Sequence, residues 1–280
     1  MVHAHLLGTA QDGGVPHAGC ECLHCRAAWN DPSKRRLPAS IGLQDTGMEV
    51  WFLVDATPAL PEQIHRMSMQ APAARLQGIL LTHLHMGHYG GLLHLGREAM
   101  NARSLPLYAT RSSIGFLRQN EPWKSLLTNG NLLPRELTPD REVILTPSLR
   151  ATPIAVPHRA EFSDTMAFIL QGPASRLLYL PDIDRWDTWD RDLRAIVDDV
   201  DVALLDATFF SPEELPGKAL AEIPHPLVAD TIARLNGTAC DVRLIHLNHS
   251  NPLNHDGPER DLVARAGFHV GEEGNTWTLG

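Results

Sequence analysis

The sequence is short of several features, and each absence narrows what the chain can be. No apolar run in its 280 residues approaches the roughly 20 needed to cross a bilayer, so a helical membrane protein is excluded. The start, Met1-Val2-His3-Ala4-His5-Leu6-Leu7-Gly8, lacks the charged head and apolar stretch of an export signal, and the expected compartment is the cytoplasm. Long basic runs are missing too. With 24 Lys and Arg against 33 Asp and Glu the formal net charge is −9, which makes nucleic acid a poor partner. There is no repeat at solenoid periods and no low-complexity tract. Cysteine is scarce, with four residues in all, yet Cys20, Cys22 and Cys25 fall within one short stretch. In a reducing compartment such a cluster reads as a metal site before it reads as disulfides.

What is present suits a folded α/β enzyme. A hydrophobic content of 43% supplies a core for one large domain or two small ones. The expectation is a single domain over residues 1–280, with halves of roughly 1–130 and 131–280. The segment Leu132 to Arg150, rich in Pro, Thr and charge, reads as the connection between them. One unit recurs along the chain: a short apolar run that ends in a residue able to bind metal. Trp51-Phe52-Leu53-Val54 leads into Asp55, Gly78-Ile79-Leu80-Leu81-Thr82 into His83, and Thr152 to Pro157 into His158. Leu177 to Pro181 leads into Asp182, Val202 to Leu205 into Asp206, and Val242 to Ile245 into His246. Runs of this length suit strands buried on both faces. Helical patterns over Gly91 to Ala102, Trp186 to Val197 and Pro226 to Leu235 lie between some of them. Alternating strands and helices give α/β layers, and ligands bind beyond the carboxyl ends of such strands. A single Asp at a strand end is usually a turn or cap residue, and Asp55 and Asp206 are the best candidates for a structural role or for supporting a ligand from behind.

His83-Leu84-His85-Met86-Gly87-His88 is the densest chemical signal. On a loop, His83 and His85 can turn toward one ion, while His88 approaches from the first turn of a following helix. Neutral imidazoles suit zinc, manganese and iron. A tag-like surface cluster is the rival explanation, and the apolar strand that leads into the motif argues against it. A catalytic metal keeps an open coordination position and brings the pKa of bound water to about 7. A pair of metals would need a bridging carboxylate, for which Asp182 is the natural candidate.

Thr82 to His88 resembles the HxHxDH signature of the metallo-β-lactamase superfamily. Asp55, His158, Asp182 and His246 match its other motifs in order, so the resemblance spans nearly the whole chain. It implies a four-layer αββα sandwich with the metal site at one edge of two sheets. Within the superfamily, Gly8-Thr9-Ala10, Gly13-Gly14-Val15-Pro16, the cysteine cluster, Leu180 to Trp186, Leu205 to Phe210 and His246 to Leu253 are similar to the pyrroloquinoline quinone biosynthesis protein B family and its relative, the cyclic phosphodiesterase of phosphonate breakdown. The resemblance implies a first metal on His83, His85, His158 and Asp182, and a second on His88, His246 and Asp182. Gly87 departs from the pattern, standing where the signature has an aspartate that serves the second metal. Loss of that charge implies one tightly held ion or a partly filled pair.

The resemblance also completes the cysteine cluster. Three thiolates need one more ligand for a closed tetrahedral zinc site. The phosphodiesterase relative implies His249, three residues past His246, and His225 remains the rival fourth ligand. Asp12, in a Gly-rich loop, is explained by turn chemistry as well as by reach to the site. Cys240 reads as a buried small hydrophobe. Trp123, Trp186 and Trp189 read as core before pocket lining, and His94 is expected to pack. The leading expectation is a metal-dependent hydrolase of an ester-like bond, such as a phosphodiester. Asp182 and His246 serve the chemistry, with Asp206 fixing a ligand histidine. Structural zinc is expected at the cysteines, and zinc, manganese or iron in the active site. An oxidative, hydroxylase-like role in quinone-cofactor biosynthesis is the second reading, and a non-catalytic binding protein the third. The expected partners are a small-molecule substrate and, at most, a second copy in a homodimer, with neither membrane nor nucleic acid.

Overall fold

All six apolar runs are strands. The computed structural model describes residues 1–215 and 224–280. Its strands, in chain order, are β1 (Val2–Gly8), β2 (Ser40–Asp45), β3 (Val50–Val54), β4 (Arg75–Leu80), β5 (Leu105–Thr110), β6 (Leu132–Leu137), β7 (Val143–Ile144), β8 (Arg150–Val156), β9 (Thr165–Gln171), β10 (Arg176–Leu180), β11 (Val202–Asp206), β12 (Asp241–Ile245), β13 (His269–Val270) and β14 (Thr276–Thr278). They form two seven-stranded sheets, ordered β14-β1-β2-β3-β4-β5-β6 and β13-β12-β11-β10-β9-β8-β7. β3 and β11 are buried at every position, as strands covered on both faces must be.

Three apolar layers hold the sandwich together. Leu6, Ile41 and Phe52 of the first sheet meet Phe168, Tyr179 and Leu204 of the second between the sheets. On the outer face of the first sheet, Leu53 and Ile79 pack with Leu60 and Met67 of the helix Leu60–Gln70. On the outer face of the second, Leu178 and Leu205 pack with Val197 and Leu235 of the helices Leu193–Asp198 and Val228–Leu235. These are four layers, helix–sheet–sheet–helix. Among the described residues no helix is long and apolar enough to cross a membrane.

Strand direction places the chemistry. β3, β4, β5 and β6 run parallel, as do β10, β11, β12 and β13. Register puts Leu180 beside Leu205 and Asp206 beside Ile245, so the segments carrying Asp182, Asp206 and His246 leave one edge together. Val54 pairs with Leu80, which does the same for Asp55 and His83. The Met166 amide donates to the Thr82 carbonyl at 3.0 Å and ties the second sheet to the histidine loop.

Three expectations need correction. Gly91 to Ala102 is not one α-helix. A short helix, Met86–Tyr89, passes into a 3-10 turn, Gly90–Leu95, and helical structure stops there. The Gly91 amide donates to the Ala56 carbonyl, so this backbone bonds sideways to the end of β3 instead of continuing a helical ladder. Leu92 and Leu95 are buried, while Met100 is exposed and so is His94, which does not pack as expected. Trp186 to Val197 likewise splits into a 3-10 turn, Trp186–Thr188, and the helix Leu193–Asp198. The two indoles donate in different directions, Trp186 to Thr231 Oγ1 and Trp189 to the Ala155 carbonyl, both at 2.9 Å. Asp192 then caps the new helix by accepting from the Arg194 and Ala195 amides. Leu132 to Arg150 is more than a connection, since it contributes β6 at the edge of one sheet and β7 at the edge of the other. The expected helix after Pro226 is present as Val228–Leu235. Trp186 and Trp189 belong to the core, and Trp123 packs on Tyr89 with ring centroids 5.0 Å apart.

Candidate metal centre

Four side chains from three loops converge at the strand ends. One donor atom from each of His83, His85, His158 and Asp182 lies within 4.8 Å of all the others. His83 Nε2 is 2.9 Å from His85 Nδ1, and His158 Nε2 is 3.1 Å from the same nitrogen. Asp182 Oδ2 lies 3.3 Å from His83 Nε2 and 3.1 Å from His158 Nε2. Ligands about 2.1 Å from a tetrahedral ion stand roughly 3.4 Å apart, so this spacing fits a shared cation.

A second group adjoins the first. Asp182 Oδ2 is 3.9 Å from His88 Nε2 and 3.9 Å from His246 Nε2. Both Nε2 atoms are buried without a hydrogen-bond partner, and so is Asp182 Oδ1. Buried polar atoms left unpaired cost about 1–3 kcal/mol each, and two imidazole nitrogens that both lie 3.9 Å from Asp182 Oδ2 fit a bound cation.

The far side of each histidine is held. His88 Nδ1 is 2.8 Å from Asp55 Oδ2, and Asp55 also accepts from the Thr82 amide and hydroxyl. His83 Nδ1 is 3.0 Å from Thr82 Oγ1, and His158 Nδ1 is 2.9 Å from Asp184 Oδ1. His85 Nε2 is 2.9 Å from Glu161 Oε2, and His246 Nδ1 is 2.9 Å from Thr208 Oγ1. Fixing one ring nitrogen sets the tautomer and aims the other, as metal-binding histidines require. Asp55 and His246 both have positive φ, 68° and 60°, a conformation uncommon outside glycine. At both positions it turns a functional side chain inward at a strand end.

Asp206 is tied into the centre by hydrogen bonds. Its Oδ1 accepts from the Thr208 amide and hydroxyl, and Thr208 reaches His246. Its Oδ2 accepts from the Ile183 amide and lies 3.0 Å from His225 Nδ1. His225 is therefore not the fourth ligand of the cysteine cluster. It is buried in the centre itself, with Nδ1 3.3 Å from Asp182 Oδ1. From sequence alone it was one histidine among prolines, and only the fold of its loop brings it here.

Charge in the centre is unbalanced. Burial pushes His83 well below an ordinary histidine, and the neighbouring His88 adds to this. Burial also opposes charge on His88, but Asp55, then Asp12 and Asp182, outweigh it and push the pKa up to about 9. Burial disfavours a charged Asp182, yet His246 and His225 hold it well below the usual carboxylate range. Carboxylates in a dry site that draw positive charge onto imidazoles draw a metal cation by the same attraction.

Sequence reasoning allowed Asp12 reach to the site but did not promote it over a turn role. Its Oδ1 accepts from the Gly87 amide at 3.1 Å and lies 3.7 Å from His88 Nε2. Sequence reasoning passed over Asp184, Glu161 and Thr208. Asp184 had a readable signal, the carboxylate two residues past Asp182, whereas Glu161 and Thr208 had none.

The cysteines gather with the expected partner. Cys20 Sγ is 3.4 Å and Cys22 Sγ 3.6 Å from His249 Nδ1, and Cys25 completes a set within 4.8 Å. The thiols form no disulfide, and the spacing fits a Cys3His zinc site. Cys240 is buried in the core on the outer face of the second sheet.

Fold and centre together set the class of protein, and the chain belongs to the β-lactamase superfamily, whose domain model matches residues 50–250. Its similarity to one branch runs from end to end. A protein of Methylobacterium sp. (strain 4-46), named coenzyme PQQ synthesis protein B, is 29% identical over 99% of this chain and 100% of its own length. The protein of the same name from Azotobacter vinelandii is 27% identical, covering 98% of each chain. Among solved structures, zinc-bound PqqB from Methylobacterium extorquens matches with a TM-score of 0.84, at 24% identity over 99% of this chain and 100% of that one. A diphosphatase from the PhnP family matches with a TM-score of 0.73, at 22% identity over 99% and 96%. These structural likenesses establish the shared αββα fold.

Proposed function

We propose that the protein is a metal-dependent hydrolase acting on a phosphodiester or a similar ester. The observation that carries this reading is the pair of donor groups that share Asp182, one with His83, His85 and His158 and the other with His88 and His246. Divalent cations there would supply Lewis acidity and water acidified into the neutral range. The chain's own residues do the rest. Thr82, Asp55, Asp184 and Thr208 hold the imidazoles in place. Asp206 orients His225 and favours its protonated form over the opposing effect of burial. A protonated His225 is the group we assign to donate to the leaving oxygen.

A second reading rests on the full-length similarity to proteins named coenzyme PQQ synthesis protein B. It is an oxidative step in quinone-cofactor biosynthesis, and an imidazole-rich donor set suits non-haem iron for it. One comparison separates the two. Protein loaded with manganese or zinc is assayed on bis(p-nitrophenyl) phosphate, and protein loaded with iron is assayed for dioxygen uptake with a peptide or quinone-precursor substrate. Phosphodiester hydrolysis that falls at least about 100-fold in His83→Ala supports the hydrolase. No hydrolysis, together with iron-dependent oxygen uptake, overturns it in favour of the second reading.

A further inference from the structure

Gly87 removes a carboxylate from the histidine motif, and the space it leaves is filled from elsewhere. A Cβ atom at position 87 would stand 2.2 Å from Asp12 Oδ1 and 2.3 Å from Asp12 Cα. No side chain fits there while the Asp12 loop keeps its place, so the glycine and the loop require each other. The Gly87 amide donates to Asp12 Oδ1 at 3.1 Å, which fixes one face of the carboxylate. That oxygen is 3.7 Å from the unpartnered Nε2 of His88. One donor atom from each of Asp12, His88 and His246 lies within 4.8 Å of the others.

The Asp12 loop is also held against the segment that carries His246. The Leu247 amide donates to the Thr9 carbonyl, and the Gln11 amide to the Leu247 carbonyl, both at 2.9 Å. The Gly14 amide closes the turn on the Gln11 carbonyl at 2.8 Å. Asp12 therefore sits one residue beyond a backbone pairing with the neighbour of His246. Turn chemistry explains Gly14, but it does not explain a carboxylate aimed at two buried imidazole nitrogens that lack partners.

We propose that Asp12 supplies the carboxylate of a second metal position formed with His88, His246 and Asp182, replacing across the fold the charge that Gly87 removes from the motif. This rests on the metal-dependent reading above and replaces the expectation that loss of the motif carboxylate leaves the second position weak. A carboxylate relocated some 75 residues along the chain restores the charge count of a two-cation centre.

Metal stoichiometry tests this without an activity assay. The full chain and its variants are dialysed against buffered zinc or manganese, and metal per chain is measured by elemental analysis, with cobalt titration to obtain affinities. The wild-type chain is expected to hold three ions, one at the cysteines and two in the active centre. Asp12→Ala is expected to hold two, with the weakest active-centre affinity reduced by about 100-fold or more. Asp12→Asn keeps an acceptor for the Gly87 amide and loses the charge, so it should show the same loss in a chain whose circular dichroism is unchanged. Gly87→Asp should disturb the Asp12 loop and lose the ion. Unchanged stoichiometry and affinity in both Asp12 variants would overturn the assignment. So would a single active-centre ion in the wild-type chain, retained in Asp12→Ala and lost in His83→Ala, a result that leaves the metal-dependent reading standing. Absence of any active-centre ion from the wild-type chain would overturn both.

Discussion

Position in this centre is set by hydrogen bonds on the far side of each ligand, so single residues that touch no metal should still control affinity. Asp184 aims His158 by binding its Nδ1. Asp184→Ala is expected to weaken the first active-centre ion about 10- to 100-fold, measured by competition with a chromophoric chelator. Thr208 bridges Asp206 and His246 with one buried hydroxyl. Thr208→Val keeps the shape and strands both partners, so a loss of about 1–3 kcal/mol in urea unfolding is expected, together with weaker metal binding. His83, His158, Asp182 and His246 were legible in the sequence because each closes an apolar run, and His85 because it stands two residues from His83 in the same motif. Asp12 and His225 were not. Their places depend on a missing Cβ and on the path of a loop, neither of which leaves a local pattern.

At the scale of elements, the six strands were legible because length and burial on both faces leave few other conformations for such runs. The helices were less so. Leu92 and Leu95 gave a helical period after the histidine motif, but the glycines there serve close backbone approach. A Cβ on Gly91 would stand 2.0 Å from the Thr57 carbonyl oxygen and 2.8 Å from Leu60 Cβ. Gly91→Ala should therefore cost about 1–3 kcal/mol despite the better helix propensity of alanine, read as a lower urea midpoint at unchanged slope. The cysteine cluster works at the same scale, because it joins the helix Leu23–Asn30 and its leading loop to the segment after β12. Cys20→Ser should release one zinc per chain and lower the melting temperature by several degrees, since a structural zinc site contributes folding energy directly.

The molecule as a whole is two sheets whose strand ends bring together residues from position 12 to position 249. The four-layer arrangement was implied by the resemblance of the motifs to the metallo-β-lactamase superfamily, whereas the recurring strand ends by themselves gave only α/β layers. The way one loop compensates for another could not be inferred from the sequence. Metal binding to the folded chain alone couples assembly of the centre to stability: an ion at 100 times its Kd contributes about 2.7 kcal/mol. Stripping with a strong chelator should lower the melting temperature, and readdition of zinc or manganese should restore it. The most direct measurement is anomalous diffraction at the metal edge from crystals grown with zinc or manganese. The account requires a peak enclosed by His83, His85, His158 and Asp182, separate from the zinc peak at Cys20, Cys22, Cys25 and His249. A peak at the cysteines alone, with no anomalous density among the histidines at saturating metal, would contradict it.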